Sequence, residues 1–143
     1  MKERQEFVAS LIGMPYKANT SGPETIDCWH LVRLVRERLF EDVLPMIEVP
    51  NEPSLLWLAK AFERNDERKL WQEIEQPASG LVNAPDGSLV LMSKASQAVH
   101  VGIWLGPERC VLHATELDGV VFQDIPVLKA CGWNNLRFFE RVH

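Results

Sequence analysis

Three side chains in this sequence have the type and setting for acyl-transfer chemistry: Cys28, His100 and His113. Asp27-Cys28-Trp29-His30 opens an apolar-periodic run over 31–40, in which Cys28, Val32, Val35 and Leu39 fall on one helical stripe. The turn-forming cluster Thr20-Ser21-Gly22-Pro23-Glu24 precedes it, so Cys28 is predicted in the first turn of a helix. Unpaired N–H groups and the helix dipole favour an anion there. That setting predicts a thiolate near neutral pH, labelled with a midpoint below the ordinary thiol value of about 8.5. The plain alternative is a small buried hydrophobe at a helix start.

The histidines sit on predicted strands. Along 99–105 the side chains alternate, placing Val99, Val101, Ile103 and Leu105 on one face and His100, Gly102 and Trp104 on the other. Gly102 leaves room beside the imidazole. A hairpin turn centred on Pro107 makes His113, on the next strand, a near neighbour of His100. Cysteine, imidazole and imidazole form a nucleophile–base–orienter set: a thiolate attacks, one ring takes and returns the proton, and a third group fixes that ring. A single strand histidine is more often a satisfied polar residue. Zinc is the other chemistry open to one cysteine and several histidines, yet Cys28-Trp29-His30 lacks ligand spacing and no second thiol completes a set. No metal or cofactor is therefore expected. His30 projects from a different helix face and is expected to line a groove or lie at the surface; His143 is terminal.

These groups need a scaffold. With 143 residues and 46% hydrophobic content, one globular domain over 1–143 is expected. Fifteen basic against 20 acidic side chains give a formal charge of −5, and no Lys/Arg block interleaves with aromatics, so a nucleic-acid surface is not expected. The charged start, Met1 to Glu6, leads only into the short apolar run 7–12, unlike a signal peptide, and no stretch is long enough for membrane insertion. Synthesis in the cytoplasm follows, and the odd count of three cysteines agrees with a reducing compartment.

In chain order, 2–12 reads as a short amphipathic helix stopped by Gly13 and Pro15. Met14 to Asn19 is extended or looped, with Tyr16 covering the core by default. The Cys28 helix ends near Phe40, and Pro45, Pro50 and Pro53 mark an irregular connection. Ser54 is a plausible N-cap for a second stripe, Leu55, Leu58, Ala59 and Phe62, so 45–76 reads as a helical insertion. The charged run 63–69 reads as a solvated helix end. Trp71 to Glu75 alternates as a first strand, and β-rich runs follow at 88–92, 98–105, 109–115, 120–125 and 136–142. Helices first and then an antiparallel meander predict an α+β domain with the helices on one face of the sheet.

Four runs carry a family resemblance: Leu11-Ile12-Gly13-Met14-Pro15-Tyr16, Asp27-Cys28-Trp29, His100-Val101-Gly102-Ile103-Trp104-Leu105-Gly106 and Leu112-His113-Ala114. In this order they resemble the NlpC/P60 cysteine peptidases, and within them the phage-tail branch. The resemblance implies a papain-like α+β fold and a Cys-His-His triad that hydrolyses peptide bonds in bacterial cell-wall stem peptides. By position, it makes Cys28 the nucleophile, His100 the base and His113 the orienting member. Tyr16 then helps the Cys28 backbone N–H hold the oxyanion, Asp27 shapes the substrate subsite, and Trp29 and His30 complete the substrate-binding set. Two departures bear on substrate preference and activity: Lys17-Ala18-Asn19-Thr20 replaces the usual Gly-Gly pair, and His30 replaces a glycine. Peptidoglycan stem peptides and phage tail proteins are the implied partners, with action at the cell wall in a virion or after delivery. A tail component that keeps the fold without turnover is the alternative, as is an acyltransferase or amidase using the triad on a non-wall substrate.

Overall fold

A computed structural model describes residues 2–44, 71–94 and 99–141, and of Val99 the backbone alone. The expected helix after Ser54 and the charged run 63–69 lie outside these residues, as does His143.

Helix α1 spans Lys2–Leu11 and buries Val8 and Leu11. Its Arg4 forks onto two turns at the sheet's end, with Nη1 2.6 Å from Asp86 and Nη2 2.9 Å from Glu108. Gly13, at φ +92°, ends the helix in a conformation that costs a side-chain-free residue little. Helix α2 spans Cys28–Phe40, matching the predicted stripe: Cys28, Val32 and Val35 are buried. Asp27 caps its start by accepting the His30 N–H at 2.8 Å. Glu41, at φ 51°, closes its end in the left-handed region.

The six described strands are β1 (Trp71–Ile74), β2 (Leu89–Ser93), β3 (Val99–Leu105), β4 (Cys110–Thr115), β5 (Gly119–Gln123) and β6 (Asn135–Arg141). They form one sheet in the order β1-β6-β2-β3-β4-β5, with each pair antiparallel. The meander expectation holds from β2 to β5. Beyond that, β6 returns across the sheet to lie between β1 and β2, a placement that alternation alone does not specify.

Period-two alternation splits the sheet's residues between two cores. Leu89, Leu91, Val101, Ile103, Leu105, Leu112, Ala114 and Phe139 face α1 and α2. Val90, Met92, Trp104, Val111 and Phe138 face the other way, against Leu128 and Trp133. Leu128 belongs to a short helix, α3 (Ile125–Ala130). The two N-terminal helices thus lie on one face of the sheet, as expected, and a third helix, α3, covers the second. Its start is fixed by Asp124, which accepts the Val127 N–H at 3.0 Å. Its end is a Schellman closure, with Trp133 N–H bonding Leu128 O and Gly132 N–H bonding Lys129 O, each at 3.0 Å. Gly132 takes φ +97° to permit this, and the closure sets Trp133 on the sheet.

Candidate active site

The chain between the two N-terminal helices folds back on itself to meet the start of α2. Ile26 N–H bonds Pro15 O at 3.0 Å and Asp27 N–H bonds Thr20 O at 3.2 Å, so Tyr16 lies beside Ile26. The Asp27 carboxylate stitches this loop to the helix. Its Oδ2 accepts the Asn19 N–H at 2.8 Å, and its Oδ1 accepts both the backbone N–H and the Nδ1–H of His30, each at 2.8 Å. Asp27 is 1% exposed and bonded to groups of its own chain, so it ties the loop at Asn19 to the start of α2 at His30. His30 departs from the expected groove or surface position: it is buried, its ring pinned to Asp27. Trp29 is also a core residue, in the same buried cluster as Val32 and Leu112. Neither ring offers a face to solvent.

Cys28 is buried at the first residue of α2. Backbone N–H groups of Val101, Trp29 and Cys28 itself act on the sulfur in favour of its charged form. Described pairing between β3 and β4 runs from Leu105↔Cys110 to Gly102↔His113. Val101 lies one residue past that last pair, so the sulfur meets β3 at the Val101 backbone in the α2-facing core, while the His100 ring packs on Trp133 of the second core. The expected thiolate is not what this setting favours. Burial, and then the Asp27 carboxylate, push the Cys28 thiol up to about 12, against the pull of the three N–H groups. Desolvation outweighs the helix dipole.

His100 and His113 come together, though not as opposite partners. The turn takes four residues, 106–109, with Arg109 at φ 55°, so Gly102 stands opposite His113. His100 reaches His113 diagonally, its Nε2 3.1 Å from His113 Nδ1. Gly102 makes the diagonal possible. A Cβ there would lie 2.8 Å from Val111 Cγ1 and 3.0 Å from His113 Cβ. Gly102→Ala is expected to cost about 1–3 kcal/mol in urea unfolding, with shifts in both histidine ring signals.

Two residues that sequence reasoning missed complete the arrangement. Gln123, on β5, places Oε1 2.8 Å from His113 Nε2. Trp133 stacks on His100 with centroids 5.1 Å apart and planes 20° from parallel. Finding Gln123 needs the β4–β5 register, which pairs Val111 with Gln123 and His113 with Val121. Asp124-Ile125-Pro126 followed by Gly132 is the sequence signal for α3 and hence for Trp133.

Both rings are held neutral. Burial takes His100 well below 6.5, helped by His113 and Lys94. Burial also lowers His113, helped by Lys94 and opposed by Gln123 and Asp118. The unfolded chain therefore binds more protons than the native one once pH drops below about 6.5. Stability is full above that value and lost as pH falls toward the folded pKa values. The urea midpoint is expected to be lower at pH 5 than at pH 7.5; equal midpoints would contradict neutral burial.

Helix α2 packs on an antiparallel sheet, presents a cysteine at its first residue, and meets a histidine-bearing strand. This is the architecture of the NlpC/P60 domains among solved structures. NlpC2 and NlpC1 from Trichomonas vaginalis each superpose with a TM-score of 0.56 at 18% identity, over 98% and 96% of this chain. The chain spans only 45% and 42% of the length of those two proteins. The NlpC/p60 domain of the peptidoglycan hydrolase SagA superposes with a TM-score of 0.52 at 17% identity, over 94% of each chain. No curated protein matches the sequence. The NlpC/P60 family model matches residues 13–130, and the chain belongs to that family.

Proposed function

We propose that this protein is a cysteine peptidase that hydrolyses peptide bonds in the stem peptides of bacterial peptidoglycan. The observation that carries this reading is the His100 Nε2···His113 Nδ1 pair at 3.1 Å, borne on the strand whose Val101 backbone acts on the Cys28 sulfur. SagA, the peptidoglycan hydrolase whose domain shares the fold, supports the substrate class. Cys28 attacks the scissile carbonyl, and its proton passes to His100 as the C–S bond forms. His100 returns that proton to the leaving amine. Water then resolves the thioester with His100 as base. Because thiol and imidazole both rest neutral, proton transfer accompanies attack, as for a serine nucleophile.

His113 holds the His100 ring, while Tyr16 and the Cys28 N–H receive the oxyanion. Burial, and then Cys28, Asp27 and Glu116, push the Tyr16 phenol up, so it keeps its proton and remains a donor. Tyr16→Phe is expected to lower kcat about 10²–10³-fold with little change in KM, the cost of one oxyanion donor.

The proposal places the protein in a phage or prophage tail, made in the cytoplasm and delivered to the wall. Purified muropeptides of several stem types, incubated with wild-type protein and with Cys28→Ala and read by mass spectrometry, test the activity. Cleavage by wild type alone is expected. Intact products across all stem types would overturn the wall-hydrolase reading. Unchanged infectivity and assembly of a phage carrying Cys28→Ala would favour a structural tail role instead.

A further inference from the structure

The hydrogen bonds around the two histidines run in one direction. His100, His113 and Gln123 form a straight diagonal across β3, β4 and β5, since His113 stands opposite Gly102 and Val121, and Gln123 stands opposite Val111. A neutral imidazole has one donor nitrogen and one acceptor nitrogen. The amide oxygen of Gln123 only accepts, so His113 Nε2 carries its proton and His113 Nδ1 is left as the acceptor. His100 Nε2 must then donate to it. We propose that Gln123 is a positioning residue that fixes the tautomers of both histidines, leaving the free lone pair on His100 Nδ1. The catalytic meaning of this rests on the function proposed above; the tautomers do not.

The amide's direction has its own support. Its Nε2 faces away from His113, 3.9 Å from Cys131 Sγ, a weak acceptor. The relay also tolerates catalysis. A proton arriving at His100 Nδ1 breaks none of these bonds, whereas a proton arriving at His113 Nδ1 removes the acceptor of the His100–His113 bond. Keeping His113 neutral is therefore part of the design, and a neutral amide suits that better than a carboxylate. The charges acting on the pair are Lys94 on both rings and Asp118 on His113, so Gln123 adds no charge to a balance of one cation and one anion.

Long-range ¹H–¹⁵N correlation spectra of the protein at pH 7.5 test this without any substrate. Both His100 and His113 are expected as Nε2–H tautomers, with His30 as an internal contrast, its Nδ1–H donating to Asp27. An Nδ1–H tautomer at His113 overturns the proposal. In Gln123→Met, which keeps size without a carbonyl, the His113 signals are expected to move toward an average of the two tautomers; wild-type signals would overturn it. Gln123→Glu is expected to make His113 an imidazolium at neutral pH and to move the acid limb of kcat/KM upward by a pH unit or more. Activity should then recover at high pH, with at least about a tenfold loss at pH 7, inside the roughly 10⁴-fold that a wrong base tautomer costs. An unmoved limb overturns it. Expected tautomers in a protein that cleaves no muropeptide would leave this assignment standing and remove the peptidase reading.

Discussion

Under the proposed function, Cys28→Ala and His100→Ala are each expected to lower kcat on a muropeptide by roughly 10⁴–10⁶-fold, with the double variant no slower than either alone. This follows from the two groups acting as one unit: without the sulfur there is no nucleophile, and without the ring a neutral thiol keeps its proton. The neutral resting pair sharpens the expectation. A preformed thiolate would retain some attack without His100, whereas a thiol pushed up to about 12 retains almost none at pH 7. Single-turnover kinetics on the two single variants and the double variant check this. Unfolding midpoints near wild type for Cys28→Ala establish that the loss is chemical. Multiplicative losses would show that cysteine and histidine act independently. The same burial predicts that thiol reagents label exposed Cys131 before Cys28, reversing the order suggested by a helix-start thiolate.

Trp133→Ala is expected to cost about 3–5 kcal/mol, as for other buried aromatic truncations. It has a second effect that a simple cavity lacks. Trp133 is 6% exposed and covers the His100 ring, with the Lys94 ammonium 4.5 Å from the Trp133 centroid. Removing the indole admits water, relieves desolvation and lets the His100 pKa rise toward its ordinary value. Urea unfolding measures the first effect and the pH dependence of the His100 ring shifts measures the second. Trp133→Phe, which keeps a stacked ring, should restore much of both. Lost stability with an unmoved His100 titration would mean that Trp133 is core filling alone.

The elements closest to the chemistry were the most legible in the sequence. The stripe from Cys28 to Leu39 specifies α2 because helical period and burial agree there, and alternation along 99–105 places His100 and Gly102 on one face. Register was harder to read. The two histidines are near neighbours, as expected, and a left-handed Arg109 in a four-residue turn makes them a diagonal pair. Helix α3 has only six residues, too few to show a stripe, and so Trp133 was missed with it. His30 and the thiolate failed for a shared reason. Position along a helix indicates direction, while burial and the Asp27 carboxylate decide what those side chains become.

The pairing of Gly13 and Met14 with Val120 bears on how the molecule is kept from sticking to copies of itself. Gly13 N–H bonds Val120 O at 2.9 Å and Val120 N–H bonds Met14 O at 3.0 Å, so residues 13 and 14 lie along the rim of β5, the outer strand among the described residues. Gly119 permits this approach, since a Cβ there would fall on the Met14 carbonyl oxygen. An outer strand left bare is a template for growth by addition of further chains. A form lacking the first 14 residues would therefore lose more than α1: it would bare the strand that carries Gln123, and oligomers seeded at β5 would compete with the working fold.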